Sequence, residues 1–491
     1  LNSDFRPEAS LVDRAMTVTS FQKAIIWSLC FEALGLGCGS GPLTGRYWPP
    51  VAAPLHFLRP GTIKLPVWPG LPVFGSTRRG WLDATMYLVL LGSCAQALVA
   101  AALTPTILLP IVAAVALLGL SDKTIFLAAR AEHYWAMLVC FCFVGQGIPG
   151  AMVVATAIWM WAAISKLTHH FPYVLCVMTS NSPLLRWGWM RRAMYRDFPG
   201  DLRPSRLART AAHLGTLVEL GFPILLLLGN GGTLTVVGLA AMVLFHAYIT
   251  SHVPMGVPIE WNLAVVYGGF FLFGTHADVS PLHIESPVLL VFLLISAGIV
   301  PLVGQLFPHC TSFLMAMRYY AGNWAYSVWL FRADAEHKLE AIPKVSPHPR
   351  DQLARFYDAD TVTTLMSKVP AFRAMHLHGR ALYTLLPQAV ERIEDYAYAD
   401  GEIIAGMVLG YNFGDGHLHD HRLLEEVQDL CDFAPGQLRH IFVESQPLFR
   451  PRLRWEIRDA ATGLCAQGQI TTAALMQADA PRPASPAARA P

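Results

Sequence analysis

Charge is the scarcest ingredient of this chain: only 14% of its 491 residues are Asp, Glu, Lys or Arg, 54% are hydrophobic, and the mean hydropathy is +0.41. Soluble globular domains carry roughly a quarter of their residues as charges, so this composition excludes an ordinary soluble enzyme and implies a polytopic membrane protein. The formal net charge of +2 gives no reason to expect nucleic acid as a partner. Cysteine supplies no scaffold. There are nine, an odd number, with no CxxC, and Cys30, Cys94, Cys140 and Cys142 lie in apolar stretches, which argues against a disulfide framework or a zinc ribbon. The opening residues have neither a basic n-region nor an apolar h-region, so no signal peptide is expected. No GxSxG, Walker loop, HExxH or GxGxxG stands in a supporting context, and no internal repeat is visible.

What is abundant is apolar sequence of membrane length. A hydrocarbon core of about 30 Å takes roughly 20 residues of helix. Runs near 21–38, 84–103, 105–120, 125–145, 148–167, 210–228, 233–253, 259–275 and 287–307 predict a helical bundle of about nine spans, some broken by Pro105, Pro110, Gly145, Pro149 and Pro223. Lysine and arginine then test the threading. They gather at Arg59 to Arg79, at Lys123 and Arg130, at Arg186 to Arg209, and at Arg318 and Arg332, whereas the segments at 104, 229–232 and 275–285 hold none. With nine spans the basic groups share one face, and the positive-inside rule puts that face and the C-terminal region in the cytoplasm of a cell's inner membrane. Residues 39–82 read as a Pro- and Gly-rich interfacial loop. The stretch "LLRWGWMRRAMYRDF" reads as a helix in the headgroup plane, an anchor or a site for lipid head groups or an acidic partner. The expected organisation is a transmembrane domain over 1–331, a separate soluble α+β domain over 332–475, and a tail over 476–491 disordered by composition. Within the soluble domain "GEIIAGMVLGYNF" reads as strand-like, "HRLLEEVQDLC" as a helix, and "RHIFVESQPLF" and "RLRWEIRD" as strands.

An ionisable side chain inside a span costs about 2.5 to 3.5 kcal/mol on insertion scales, which makes each one a functional candidate. Glu32, Glu132, Lys166, His213, Glu219 and His246 are that inventory. Lys166 follows a long run almost free of charge, in "WAAISKLTHHFP", and shares a helical face with His169 and His170 if the helix continues to Phe171. Two readings stand: a lysine snorkelling from a helix end, or a desolvated amine usable as a base. Glu219, in "LGTLVELGFPILLLL", has only Thr216 as a polar neighbour on its own face and needs a partner from another helix. His246 shares a face with Thr250 and suits a buried hydrogen-bonded histidine or a relay. In the C-terminal region "FGDGHLHDHRLL" spaces His417 and His419 as two zinc ligands on an extended segment would be, although Asp420 equally suits a helix N-cap that would end that geometry.

The motifs "GCGSGPLTGRYWPPVAAPLHFLRPGTIKLPVWPG", "HVPMGVPIEWN", "MRYYAGNW" and "GYNFGDGHLHDH" resemble an uncharacterised, actinobacteria-rich family of bacterial transmembrane proteins without assigned activity. A more distant resemblance covers about 130–275: an aromatic helix ending in Ala163–Leu167, then "ELGFPILLL", then "FHAYITSHVPMG", is similar to the horizontally transferred transmembrane domain of vitamin K-dependent gamma-carboxylase. That resemblance implies that Lys166 is a base facing a quinone-like or isoprenoid lipid, with Phe245 and His246 matching the family's F-H helix. Two departures limit it. The C-terminal region is shorter than the carboxylase's luminal domain and is placed on the opposite side of the membrane by charge. The reading that follows is a membrane-embedded enzyme with Lys166, His170, His246 and Glu219 as catalytic groups and His169, Trp261 and Asn262 on the cofactor. The alternatives are a non-catalytic lipid-binding subunit of a larger membrane complex, in which case protein partners are expected, and a transporter.

Overall fold

The computed structural model describes residues 10–37, 52–252, 259–319, 321–410 and 415–477. The glycine-rich part of "GCGSGPLTG", most of "HVPMGV", and "YNFG" at 411–414 lie outside the described residues, as do the residues of the expected disordered tail beyond Gln477.

The bundle is built from helices α1 (Val18–Ala33), α2 (Trp81–Val99), α3 (Pro105–Ser121), α4 (Gly147–Ser165), α5 (Phe171–Asn181), α6 (Arg206–Leu228), α7 (Thr233–Thr250), α8 (Ile259–Gly269) and α9 (Pro287–Leu306). Among the described residues five of these, α2, α4, α6, α7 and α9, are long and apolar enough to cross a membrane. The other four expected spans fall short for visible reasons. α1 stops at 16 residues and α3 at 17 with Pro110 inside it. The run at 125–145 is broken by Arg130 in the left-handed region (φ 50°) and a π-turn over Ala131–Trp135, and α8 gives way to another over Phe270–Thr275. Of the five, α4 is the central one: 61% of it is buried, against 22–39% of the others. Its glycines and alanines, Gly150, Ala151, Ala155, Ala162 and Ala163, are buried, and such small side chains let neighbouring helices close on it.

Between α5 and α6 come a short helix, Gly188–Ala193, with Trp187 and Trp189 exposed, and a hairpin of β1 (Tyr195–Asp197) and β2 (Asp201–Pro204). The C-terminal part is an antiparallel sheet in the order β4-β3-β5-β6-β7, formed by β3 (Tyr326–Arg332), β4 (Tyr396–Asp400), β5 (Leu438–Val443), β6 (Arg452–Asp459) and β7 (Gly463–Thr471). Its first strand lies on the bundle side of the break expected at 332. Helix α10 (Leu377–Ala389) packs Leu377, Ala381, Leu382 and Leu385 into the core beneath the sheet. "GEIIAGMVL", expected as a strand, is helix α11 (Gly401–Leu409). Asp400 caps its start by accepting from the Glu402 N–H, and Gly410 ends it at φ 95°. Every residue of α11 is buried, so no polar face interrupts its apolar run and no helical period is visible. Helix α12 (His421–Cys431) begins after Asp420, whose carboxylate accepts from the Arg422 N–H.

The sheet module does not stand apart from the bundle. Arg79 donates to the Leu409 carbonyl, the His56 ring bonds the Val408 carbonyl, Arg78 pairs with Glu426 at 3.0 Å, and Arg318 donates to Ser445 at 2.9 Å. One hydrophobic core runs from Phe57 and Tyr87 to Trp329 and Ile404. Basic residues read as loop charges therefore serve as a docking platform. Lys64 and Arg79 are themselves buried against Asp83 (2.7 Å) and Asp122 (2.6 Å).

Candidate functional site in the bundle

Helix α4 ends at Ser165, and Lys166 caps it with its N–H turned back to the Ala163 carbonyl. The chain then makes a tight turn and restarts as α5. Lys166 thus sits at a helix C-terminus, where the backbone dipole favours a cation, and at a break in a buried helix, where such irregular backbone is tolerated only inside protein. Its side chain is 5% exposed and does not snorkel.

Its partner comes from α6. That helix buries Ala208, Ala212, Thr216, Glu219, Phe222 and Leu226, a stripe at helical spacing that turns Glu219 inward. Lys166 Nζ donates to Glu219 Oε2 in a buried ion pair. The Phe171 and Phe245 rings lie 5.3 and 5.4 Å from the ammonium, close enough for cation–π attraction. Thr216 is not part of the pair; its hydroxyl donates to the Ala212 carbonyl. Removing one partner of such a pair costs about 3 to 5 kcal/mol, because the other charge is left buried and alone.

His246 lines the same cavity, which also touches Trp159, Trp261 and Tyr319 and holds about 30 Å³ of free space, room for a water molecule or two. The histidine's protonation follows from its partners. Trp159 Nε1–H donates to His246 Nε2 at 3.2 Å, and an indole can only donate. Nε2 is therefore unprotonated, the proton is on Nδ1, and it is donated to Asn262 Oδ1 at 2.9 Å. His246 is a neutral imidazole fixed in one tautomer. It lines the cavity and has no free lone pair with which to act as a base.

A second polar cluster adjoins the first. Tyr319 OH, at the cavity wall, donates to Glu132 Oε1 at 2.7 Å; Glu132 lies 3.4 Å from His133 Nδ1 and 4.0 Å from Arg130, which is also 3.7 Å from Glu32. Tyr134 donates to Glu260 at 2.6 Å. Trp261 bridges the two clusters, its ring 4.5 Å from that of Tyr319 and 5.6 Å from the Arg130 guanidinium.

With the geometry in place, comparison with known families decides what kind of protein carries it. The chain matches, over residues 14–489, the family described as transmembrane proteins of unknown function, DUF3556. It belongs to that family. No curated protein and no solved structure matches it. In this member of the DUF3556 family Lys166, Glu219, His246, Trp261 and Asn262 meet at one place. His169 and His170 do not join them. The helix that would have carried them past Lys166 ends at Ser165; the His169 side chain is exposed, and His170 is buried elsewhere with Nδ1 3.1 Å from the Gly322 carbonyl. Burial pushes the His170 imidazole down to about 3.

The zinc geometry at 417–419 is also absent, because Gly416–Leu418 form a 3-10 turn rather than an extended segment. His417 lies between Asp415 (3.2 Å) and Glu444 (3.0 Å), which take both ring nitrogens, while His419 Nδ1 bonds Ser327. Among the described residues no group of three or more His, Cys, Asp or Glu is arranged to hold a metal. Burial opposes charge on His417, but the two carboxylates outweigh it and push the ring up to about 10. Trp159 and Tyr319 are the site residues the sequence reading passed over. Trp159 was within reach, since it lies two helical turns before Lys166 on the same face; nothing in the spacing pointed to Tyr319.

Proposed function

We propose that this chain is a membrane-embedded enzyme acting on a lipid-soluble molecule, quinone-like or isoprenoid, with Lys166 as its base. The observation that carries the reading is a lysine and a glutamate held as an isolated pair inside the bundle, at a helix break, beside a cavity walled by aromatic rings. A one-to-one pair of this kind can discharge itself. Transfer of one proton from Lys166 to Glu219 leaves a neutral amine and a neutral acid, and low dielectric favours the uncharged forms. The amine then accepts a proton from an acidic O–H of the substrate, the substrate becomes the anion, and the ammonium beside it balances the charge. His246, fixed by Trp159 and Asn262, shapes the wall, and Trp261 and Tyr319 offer ring faces. A ring-sized substrate needs the cavity to widen toward the apolar pocket that shares Ile158, Trp159 and Val265 with it. The basic loops that meet the sheet module support a cytoplasmic C-terminal region in the inner membrane.

Mass spectrometry of small molecules extracted from the purified protein is the test, followed by turnover of whatever is found. A prenylated or quinone-like molecule is expected, and Lys166→Ala should lower its turnover about a hundredfold or more. Undiminished turnover in Lys166→Ala would remove the base assignment. One observation favours a second reading, a lipid-binding subunit of a larger membrane complex: the pair satisfies itself and its cavity is small. On that reading a Lys166→Met/Glu219→Met double variant keeps its bound lipid.

A further inference from the structure

A pocket of about 340 Å³ lies at the junction of the last span and the sheet, far in sequence from Lys166. One wall is the end of α9 and the residues that follow it, Leu306 to His309; the other is the loop into β6, carrying Arg450, and the start of that strand, carrying Arg452 and Arg454. Arg452 and Arg454 alternate with Leu453, which is fully buried, so strand geometry puts both on the outer face. The loop is tied to the span directly, Leu448 N–H donating to the Gln305 carbonyl at 2.8 Å. All three arginines are exposed, and among the described residues none has a carboxylate partner. The one carboxylate on the pocket wall, Glu444, is occupied by His417 and Ser445.

The surroundings say what such a site meets. Phe449 is 85% exposed beside the arginines and stands at φ 65°, a left-handed conformation that costs a bulky residue about 1 kcal/mol or more and marks sites under functional constraint. Phe307 is 44% exposed on the facing wall, and α9 leading to it exposes Val291, Ile295, Ile299 and Leu302. The pocket therefore stands where a membrane span ends, with exposed cations and exposed aromatic side chains on its walls. That is the layout of a phosphodiester above acyl chains, and arginine's planar fork suits phosphate oxygens.

We propose that the Arg450, Arg452 and Arg454 pocket binds the phosphate headgroup of an anionic phospholipid from the adjacent leaflet. The test is native mass spectrometry of the full chain titrated with phosphatidylglycerol, phosphatidylcholine or inorganic phosphate. Phosphatidylglycerol should be retained over phosphatidylcholine, and the Arg450→Gln/Arg452→Gln/Arg454→Gln variant should weaken its binding about tenfold or more, since each cation near a membrane surface contributes several-fold. The single variant Arg452→Gln should weaken it a few-fold and guards against a folding defect in the triple. A charge-matched triple at the exposed Arg355, Lys368 and Arg392, none of which lines the pocket, should leave phosphatidylglycerol retention nearly unchanged. Equal retention of the two lipids, equal loss in both triples, or inorganic phosphate binding as well as the lipid would each overturn the proposal.

Discussion

The bundle and the sheet module both bury charge, and the one-to-one pair at the end of α4 can be set against the two-carboxylate clamps of the sheet module. In the bundle Lys166 meets the single carboxylate of Glu219. In the sheet module two buried cations are each held by two: His417 by Asp415 and Glu444, and Arg373 by Asp400 and Glu402. A cation clamped between two carboxylates cannot be neutralised by one proton moving within the group, because a negative charge always remains. Such a clamp fixes backbone. His417 and Glu444 join the turn after 415 to the end of β5, and Arg373 joins a helix to the start of α11. The one-to-one pair has no such excess and, unlike the two clamps, can pass through an uncharged state; Lys64 and Asp83 share that stoichiometry, but Lys166 and Glu219 also line a cavity walled by aromatic rings. That difference is why the bundle's pair, rather than the more elaborate clusters of the sheet module, is read as chemistry.

The largest expected effect breaks a clamp. His417→Leu leaves Asp415 and Glu444 buried and facing each other, and should lower unfolding free energy by about 3 to 5 kcal/mol, measured by denaturant unfolding in detergent. The same substitution should change the pH dependence. In the folded chain the His417 ring titrates near 10, raised from 6.5, so its contribution is fully present below pH 6.5 and is lost as pH rises toward 10. His419, His376 and His440 work in the opposite sense. Burial lowers them to about 3, 4 and 4, so the folded state loses stability as pH falls below 6.5 and the unfolded chain takes up protons that they cannot. The wild-type profile should therefore decline on both sides of about pH 6.5. His417→Leu should flatten only the alkaline limb, whose slope from one proton is at most about 1.4 kcal/mol per pH unit.

The next effect sharpens the comparison. Lys166→Met or Glu219→Met alone strands one charge in the bundle and should cost about 3 kcal/mol. The double variant removes both charges and should recover most of that loss, giving a coupling of at least about 1 kcal/mol in a double-mutant cycle. No second single substitution should rescue His417→Leu so completely, since two carboxylates remain to be dealt with. Additive losses at 166 and 219 would show that the two side chains do not form an isolated pair.

The legible part of this architecture follows from local physics. Apolar length announced α2, α4, α6, α7 and α9, and the scarcity of charge inside them singled out Lys166, Glu219 and His246, whose inward positions follow from helical stripes. What was not legible depends on tertiary context. α11 reads as a strand because burial on every side removes its helical period. The run at 125–145 reads as one span because the left-handed Arg130 is paired with Glu32 on α1, outside any local window. The partner of Lys166 lies 53 residues away, and no spacing rule reaches that far. Lys64 and Arg79 were read as topological charges because their carboxylates, Asp83 and Asp122, become partners only after the loop folds back.

The smallest expected effect tests the helix break itself. On a continuous helix His169 and His170 would stand three and four residues beyond Lys166 on one face, and losing either would disturb the pair. In the observed turn the two neighbours part company: His169 faces outward, and His170 is buried against the Gly322 carbonyl. His169→Ala should therefore change stability by no more than about 0.5 kcal/mol, as exposed substitutions away from special features do, and leave retention of any bound lipid unaltered. His170→Ala removes a buried hydrogen bond and leaves the carbonyl short of a donor, costing about 1 to 3 kcal/mol. Comparable losses at both positions would mean that the helix runs on past Ser165, and Lys166 would then lose the buried break that distinguishes it from a cation at an ordinary helix end.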